Sequence, residues 1–359
     1  MSTHNKNRVL IVDDSAIARA VLGELISKEH DFTVAGYAAD ASSAMQIIKQ
    51  GGIDVVTLDI EMPQINGLEL LKQIMSTSPL PVLMVAGSNT RQASRTLQAL
   101  ADGAVHFIEK HQGSAQSFDG FAKRFMAALR ATSLVKKSFI RASVRSNEAV
   151  KATPPFTGLT PLGQLKSTCQ IIAVGASTGG TEAVRNLVAQ LPLNCPPVVV
   201  CIHMPASFTA SYANRLDALF EQRVQLLQDR QALQRGAIYI VPGDQQASIL
   251  HFRSGLFFAS LRETLNSDVH KPSIDYLFTS IANLADVQCA AFILTGMGKD
   301  GTLGAAQLQK NASKTGTKIW GQSEETCVVY GMPKSALEAG VLNGSLPIQS
   351  ITSDLFTEL

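Results

Sequence analysis

Two regions of the chain alternate short apolar runs with amphipathic segments. In the first region, residues 8–132, the apolar runs that predict strands are 9–12, 54–58, 81–85 and 104–108. After the first run, a stripe with helical spacing is formed by Ile17, Val21, Leu22, Leu25 and Ile26. Strand followed by helix, repeated along the chain, predicts a parallel sheet with helices on both faces. The carboxyl ends of its strands share one edge, where we expect the chemistry of the domain.

The second region begins at Cys169 and shows the same alternation. Its predicted strands are residues 169–174, 197–202, 237–241 and 289–294, with a hairpin over 248–252 and 256–261. Helices are predicted from about Thr181, from about Thr209, over 272–285 and from Gly301. The predicted fold class is therefore α/β. It combines an N-terminal doubly wound (βα)5 domain with a C-terminal α/β/α, Rossmann-like domain whose sheet is mostly parallel.

Between the two regions the apolar periodicity disappears. Residues 131–168 carry six basic side chains and one acidic side chain, together with several Pro, Ser and Thr residues. This composition predicts a basic flexible linker, and docking of the basic cluster to a partner is the alternative. We therefore divide the chain into a first domain over 1–132, a linker over 133–168 and a second domain over 169–359.

Composition and charge exclude several classes of protein. The chain has 359 residues, 45% of them hydrophobic, and its 31 basic and 29 acidic side chains leave a formal net charge of +2. That charge gives no general basis for binding nucleic acid or an anionic membrane. The longest stretch without charged residues, 186–214, contains four prolines, so we predict no membrane-spanning helix.

The N-terminal residues and the cysteines indicate the expected cellular location and the state of the thiols. The first residues, MSTHNKN, lack the apolar segment of a secretory leader, so we expect a cytoplasmic location. The five cysteines are widely spaced and form no CxxC pair. We interpret them as small core residues rather than as metal ligands or disulfides.

Acidic residues stand where strands of the first region end. Asp13 and Asp14 follow the first strand, and Asp59 follows the strand over 54–58. Three carboxylates at one sheet edge repel each other unless a hard cation neutralises them, and oxygen ligands suit Mg²⁺. Lys110 follows the strand over 104–108 and could compensate charge on a phosphoryl group there. The alternative is that the residues after the strands cap helices, as Asp14 or Ser15 could for the helix at Ile17.

The first domain resembles the receiver domain of two-component response regulators. The resemblance covers residues 8 to about 132 and is carried by the run 58–71 and by Asp13, Asp14, Asp59, Phe107 and Lys110. It implies that Asp59 accepts a phosphoryl group from a chemotaxis histidine kinase, with Mg²⁺ held by Asp13, Asp14 and Asp59. Phe107 lies at the position of the family's aromatic switch, three residues before the lysine.

Two positions depart from the receiver pattern. Ala86 stands where the family has a Ser or Thr that donates to a phosphoryl oxygen, and Ser88 substitutes for it only if the loop bends back. His111 follows Lys110 where the family has a proline, usually after a cis bond. Because a cis peptide bond before a residue other than proline costs about 3 kcal/mol, we expect a trans bond at Lys110–His111. We predict that phosphorylation persists and that its coupling to the switch is weakened.

Three strand ends of the second region carry the residues of acyl-transfer chemistry. Ser177 lies in the loop 175–180, between an apolar strand and a helix N-terminus that favours an oxyanion. His203 and Asp300 follow two further strands, so nucleophile, base and orienting acid are expected at one edge. Ser177 and Asp300 as helix caps remain alternatives. A phosphate-binding loop is another, although the string GASTGGTEA lacks the GK[ST] and GxGxxG patterns.

The second domain resembles the chemotaxis protein-glutamate methylesterase family, CheB. The strings GASTGGTEA, HMP, AIYIVPGD, HKPSIDYLF, LTGMGKDG and CVVYGMP match in order, and with the receiver they cover nearly the whole chain. The resemblance implies hydrolysis of γ-glutamyl methyl esters on the cytoplasmic part of methylated chemoreceptors, often with deamidation of glutamines. It further implies that hydrolysis of the ester needs no cofactor and that the first domain covers the second until Asp59 is modified.

The resemblance also assigns roles to single residues. Ser177 is implied as the nucleophile, His203 as the base and then the acid, and Asp300 as the residue that orients the imidazole. Met297 is implied as a backbone donor to the oxyanion, with Thr178 in the same active-site loop. Two further positions lie in matching segments. His270 is interpreted as structural or as a substrate contact, and Gln245-Gln246 stands where the family commonly has Arg-His, which affects receptor docking or substrate choice.

Two other functions compete with the hydrolase. A response-regulator scaffold would bind a methylated or amidated tail without turnover, but it has no need of Ser177, His203 and Asp300 together. A nucleotide-binding α/β domain is disfavoured, because the Gly-rich loop of this chain lacks the lysine that binds phosphate in such domains.

Overall fold

The computed structural model of the chain describes residues 6–63, 65–87, 89–111, 115–135, 140, 169–252 and 255–356. The chain divides into two compact units, Met1–Ala152 and Thr153–Leu359. Nearly all of the predicted linker and Ser88 lie outside the described residues. In the part of the chain that is described, no helix is both long enough and apolar enough to cross a bilayer.

The first unit is a five-stranded, all-parallel sheet in the order β2-β1-β3-β4-β5. Its strands are β1 Asn7–Val12, β2 Phe32–Ala38, β3 Val55–Asp59, β4 Val82–Ala86 and β5 His106–Glu109. Its helices are α1 Ala16–Ser27, α2 Ala41–Gln50, α3 Gly67–Thr77, α4 Thr90–Ala101 and α5 Ala115–Ser133. This confirms the predicted fold class of the first domain, and it places β1 and β3 side by side with their carboxyl ends at one edge.

The second unit is built on a seven-stranded, all-parallel sheet in the order β15-β14-β13-β6-β7-β10-β8. Its strands are β6 Ile171–Ala176, β7 Val198–Ile202, β8 Arg223–Leu226, β10 Ala237–Ile240, β13 Cys289–Ile293, β14 Lys318–Gln322 and β15 Gly344–Leu346. A separate antiparallel sheet is formed by β9 Ala232–Leu233, β11 Gln245–His251 and β12 Phe257–Glu263. The helices of the second unit are α6 Gly180–Val188, α7 Ala206–Asp217, α8 Ile274–Ala282, α9 Thr302–Thr315 and α10 Met332–Glu338.

The order of the central strands explains where a site can form. β6 lies at the centre of the sheet, with β7 on one side and β13 on the other. The chain therefore leaves β6 in one direction and returns on its other side, which opens a crevice at the carboxyl ends of these three strands. Ser177, His203 and Thr295 follow these strands closely in sequence.

Cores of both units consist of the apolar runs that the sequence shows. Every residue of β3, β4, β6, β7 and β13 is buried, as expected for strands covered on both faces. The five cysteines are free and buried, which confirms their interpretation as core residues. Burial raises the pKa of the Cys169 and Cys327 thiols to about 12, so these groups remain neutral.

Candidate active site

Ser177, His203 and Asp300 lie together at the carboxyl edge of the large sheet. His203 Nδ1 lies 3.2 Å from Ser177 Oγ, and His203 Nε2 lies 2.8 Å from Asp300 Oδ2. The backbone fixes this arrangement, because Ser177 N donates to Thr295 O at 3.0 Å and His203 N donates to Ala176 O at 3.0 Å. A hydroxyl, an imidazole and a carboxylate are therefore joined in one chain of hydrogen bonds.

Asp300 is held as a carboxylate by an unusually large number of donors. It is 2% exposed, and it accepts hydrogen bonds from Ser273 Oγ and from the N–H groups of Ile274, Asp275 and Gly301 at 2.8–3.1 Å. Burial alone raises the pKa of Asp300, but the hydrogen bonds from His203 and from these N–H groups outweigh burial and hold the pKa well below its ordinary value. Asp300 is thus ionised and fixed in orientation.

The two helices beside Asp300 exchange their caps. Asp300 accepts from the first N–H groups of α8, while Asp275, in the first turn of α8, accepts from Gly301 N at 2.9 Å and from Gly304 N at 2.8 Å at the start of α9. The alternative interpretation of Asp300 as a cap therefore holds in addition, since its Oδ1 also accepts from Gly301 N at 3.1 Å. Two helix N-termini, with their positive dipole ends, converge on one carboxylate.

Gly296 allows the serine and its neighbouring loop to approach closely. A Cβ at Gly296 would lie 2.6 Å from Ser177 Cβ and 2.4 Å from Met332 Sδ. Gly296 also pairs with the following segment, donating to Val329 O and accepting from Met332 N. The glycine-rich loop therefore has a steric reason, since its backbone fills the space that a side chain would need.

We predict that Gly296→Ala lowers the free energy of unfolding by about 1–3 kcal/mol, because the new methyl group overlaps Ser177 and Met332. The midpoint of urea unfolding measures the change. Gly344→Ala is the matched control, because the nearest atom to a Cβ at Gly344 is Trp320 Cδ1 at 3.9 Å. Equal midpoints for Gly296→Ala and the control would contradict the close approach.

The first unit holds a second cluster of charged residues. Lys110 Nζ lies 2.7 Å from Asp59 Oδ2 and 3.0 Å from Asp13 Oδ2, and carboxylate oxygens of Asp13, Asp14 and Asp59 lie within 4.8 Å of one another. Burial raises the pKa of Asp59 above its ordinary value, more than the contact with the Lys110 ammonium group lowers it. Ser15, not Asp14, caps α1 by accepting from Ala18 N at 3.3 Å, and Asp13 Oδ1 accepts from Ser15 N at 2.9 Å.

Both units match models of known protein families. The family model described as CheB methylesterase matches residues 172–355, and the response regulator receiver domain model matches residues 9–118. The chain is 38% identical to a protein-glutamate methylesterase/protein-glutamine glutaminase 1 of Dechloromonas aromatica, over 94% of each chain. The chain belongs to the CheB methylesterase family.

Further relatives extend this finding. A protein-glutamate methylesterase/protein-glutamine glutaminase of Agrobacterium fabrum is 38% identical, over 97% of this chain and 95% of that relative. The solved CheB methylesterase catalytic domain of Thermotoga maritima is 35% identical, covering 52% of this chain and 97% of that one with a TM-score of 0.48. The family-model matches and the two full-length relatives confirm the predicted family.

The two departures from the receiver pattern, Ala86 and His111, are visible in the structure. Ala86 is fully buried at the end of β4, and its carbonyl accepts from Lys110 N. The Lys110–His111 bond is trans, as expected, and the His111 ring packs against Phe118 and Phe121 with centroids 5.5 and 5.9 Å apart. Phe107 is buried, 6% exposed.

The remaining CheB residues predicted from sequence lie around the serine. Thr178 is 2% exposed, and its carbonyl accepts from Thr295 Oγ1 at 3.0 Å. Met297 follows Gly296 and is 37% exposed. Among the described residues, no acceptor is assigned to the Met297 N–H group, which leaves it available to an incoming oxygen.

The sequence analysis named His270 and Gln246 without predicting their contacts around Asp300 and His203, and it missed the role of Ser273. His270 stacks on His203 with ring centroids 4.8 Å apart and ring planes 3° apart. Ser273 donates to Asp300, and Gln246 binds the loop that carries His270 and Ser273. The matching string HKPS and the departure at Gln245-Gln246 gave a signal, but no pattern in the sequence shows these side chains in contact.

Proposed function

We propose that this chain is a protein-glutamate methylesterase and protein-glutamine glutaminase that acts on chemoreceptors and is regulated by phosphorylation of Asp59. The observation that carries the proposal is the hydrogen-bonded series from Ser177 through His203 to Asp300. The names of the relatives, which pair the esterase with the glutaminase, agree with it.

In the proposed mechanism, His203 Nδ1 takes the proton of Ser177 Oγ as that oxygen attacks the ester carbonyl. His203 Nε2–H donates to Asp300, which fixes the tautomer and stabilises the imidazolium that forms. The negative charge on the former carbonyl oxygen is met by the Met297 N–H group and the loop that contains Thr178.

The tetrahedral intermediate collapses as the C–O bond to the methoxy group breaks, and His203 returns its proton to the leaving methanol. A water molecule then attacks the acyl-serine with His203 as base, which releases the glutamate carboxylate and restores Ser177. With a glutamine side chain, the same steps release ammonia instead of methanol. No step requires a group that this chain lacks.

In the receiver, the residues fit a divalent cation. Asp13 Oδ2 is buried, forms an ion pair with Lys110 and makes no hydrogen bond within the described part of the chain. Together with oxygens of Asp14 and Asp59 it gives the hard donor set that suits Mg²⁺. When bound, Mg²⁺ would neutralise charge on the phosphoryl group at Asp59. Lys110 would bind a phosphoryl oxygen, and the Asp59 carboxylate would accept the phosphoryl group from the phosphohistidine of a histidine kinase, a P–O bond to Asp59 forming as the P–N bond to the histidine breaks.

Methanol release from methylated receptor tests the hydrolytic part of the proposal. Release by the full chain supports turnover, whereas binding of the methylated receptor without release supports a scaffold that only binds. Amidated receptor is tested in parallel by ammonia release. This comparison decides whether the glutaminase activity accompanies the esterase.

We predict that Asp59→Asn abolishes activation by a phosphoryl donor. Acetyl phosphate with Mg²⁺ should raise methanol release by the unmodified sequence about fivefold, the lower end of typical couplings between sites, because Ala86 and His111 are expected to weaken the coupling. The Asn variant should stay at the rate measured without donor, because an amide cannot form the acyl phosphate. Asp119→Asn, an exposed position of α5, is the control and should respond fully. Activation of Asp59→Asn would contradict the role of Asp59.

A further inference from the structure

Gln246 is a buried amide with every partner in the loop beside the candidate active site. It is 1% exposed, and it lies on β11 opposite Arg262 of β12. Side chains alternate along a strand, so Gln246 and the buried Ala247 face opposite sides of the hairpin. The side that Gln246 faces is covered by residues 268–273.

Both ends of the Gln246 amide are used. Its Nε2 donates to His270 O at 2.8 Å, and its Oε1 accepts from Ser273 N at 2.8 Å. The amide therefore spans the loop from one end to the other and fixes the distance between these two backbone positions. Because an amide with both ends satisfied allows only one orientation, the loop has one position relative to β11.

The two residues that Gln246 holds are the two that contact the triad from this side. The His270 ring stacks on the His203 ring, and Ser273 Oγ donates to Asp300 Oδ1 at 3.1 Å. The next N–H group, of Ile274, donates to Asp300 Oδ2 at 2.8 Å. A shift of the loop would consequently move the His270 ring relative to His203. It would also move the Ser273 and Ile274 donors relative to Asp300.

The preceding turn is braced separately. Arg262 binds Asp268 through two hydrogen bonds of 2.9 and 3.0 Å, and its guanidinium lies 4.8 Å from the Tyr276 ring centroid. Leu265 N also donates to Asp268. This clamp fixes the loop up to residue 268, and among the hydrogen bonds of the described residues those of Gln246 connect the segment 270–273 to the hairpin.

We infer that Gln246 is a positioning residue for hydrolysis, which places the His270 ring on His203 and the Ser273 and Ile274 donors on Asp300. The inference rests on the proposed esterase function. Gln246 has no direct contact with the reacting atoms; its effect passes through the 270–273 loop.

Gln246→Met tests the inference, because methionine has nearly the same volume and makes neither hydrogen bond. We expect kcat for methanol release to fall about 10- to 100-fold, as for a misplacement of about 1 Å, with KM within about twofold. Gln309→Met is the matched control. It removes an amide that donates to Gly340 O at 2.9 Å at an exposed position of α9, and kcat should be unchanged.

A double-mutant comparison separates positioning from a loss of fold. In a chain that carries His270→Ala and Ser273→Ala, Gln246→Met should lower kcat by a clearly smaller factor than in the original chain, since two of its three targets, the His270 ring and the Ser273 hydroxyl, are gone and only the Ile274 N–H group remains. Fluorescence of Trp320, the only tryptophan, monitors folding from the core of the sheet. Gln246→Glu, which retains volume and the acceptor for Ser273 N, should lie between the original chain and Gln246→Met, and it replaces that variant if Met prevents folding.

An unchanged kcat in Gln246→Met, or a full additional loss in the double background, would overturn the inference. NMR gives a readout that needs no activity: the Cε1–H signals of His203 and His270 should lose their mutual ring-current shift in Gln246→Met and keep it in Gln309→Met. If the original chain released no methanol, the proposed function would fail. The NMR result would then still decide whether Gln246 holds the ring, and an unmoved signal would reject it.

Discussion

Ser177→Ala should lower kcat for methanol release by about 10⁴-fold or more. The variant keeps the buried strand and the loop, since Ser177 is held by its backbone bond to Thr295 O. It loses the only hydroxyl within hydrogen-bond distance of His203 Nδ1 in the part of the chain that is described. The residual activity of Ser177→Ala comes from the oxyanion donors, which stabilise the transition state for direct attack of water on the ester.

Two further variants show whether the loss of activity is specific to the role of Ser177. Ser345→Ala, at an exposed position of β15, should retain full activity. A Ser177→Ala, His203→Ala double variant should be no slower than Ser177→Ala alone, because residues that act as one unit are not additive in their effects on rate. A loss below tenfold in Ser177→Ala would remove Ser177 as nucleophile and the acyl-serine route with it.

The sequence predicted the architecture because its strands are fully buried. Runs such as 171–174 and 289–294 are apolar throughout, which in a chain with intervening helices indicates parallel strands. Most observed bounds lie within two residues of the predicted ones. The helix predicted from Thr209 begins at Ala206, because Pro205 ends the preceding extended segment and can precede a helix.

Two strands that escaped prediction are β2 and β14, although four of the five β14 residues are buried. β2, Phe32–Ala38, is an edge strand with a mixed pattern of half-buried positions, and β14 is short and contains a glycine. Periodicity gives little signal for such segments. β14 nevertheless matters for the site, since Gln322 Oε1 accepts from Thr295 N beside the serine.

The candidate site was predictable as far as strand ends decide it. Ser177, His203 and Asp300 each follow a strand of one sheet, so topology alone brings them to one edge. The side chains that orient them arrive from elsewhere: Gln246 from the antiparallel hairpin and Ser273 from a loop. Contacts between such segments depend on tertiary packing, which one sequence does not encode as a pattern.

Asp300→Asn should lower kcat by about 10⁴-fold while the protein remains folded. An amide at this position presents an NH₂ group where oxygens now accept from His203, Ser273 and three backbone N–H groups. With its NH₂ toward the imidazole, the amide would donate to His203 Nε2 and favour the tautomer with the proton on Nδ1. That tautomer cannot take the proton of Ser177. Asp286→Asn is the control, because this exposed residue has φ of 56° and asparagine tolerates that conformation.

The same variant changes how stability depends on pH. The pKa of Asp300 is held below its ordinary value, so the carboxylate stabilises the fold above the unfolded-state pKa of about 3.9, and that stabilisation is lost as pH falls toward the folded-state value. Near neutral pH, Asp300→Asn should be less stable by about 1–3 kcal/mol, because buried N–H groups lose an acceptor. Between about pH 5 and pH 3 its urea midpoint should fall less than that of the original chain, and parallel curves for the two proteins would contradict an ionised, hydrogen-bonded Asp300.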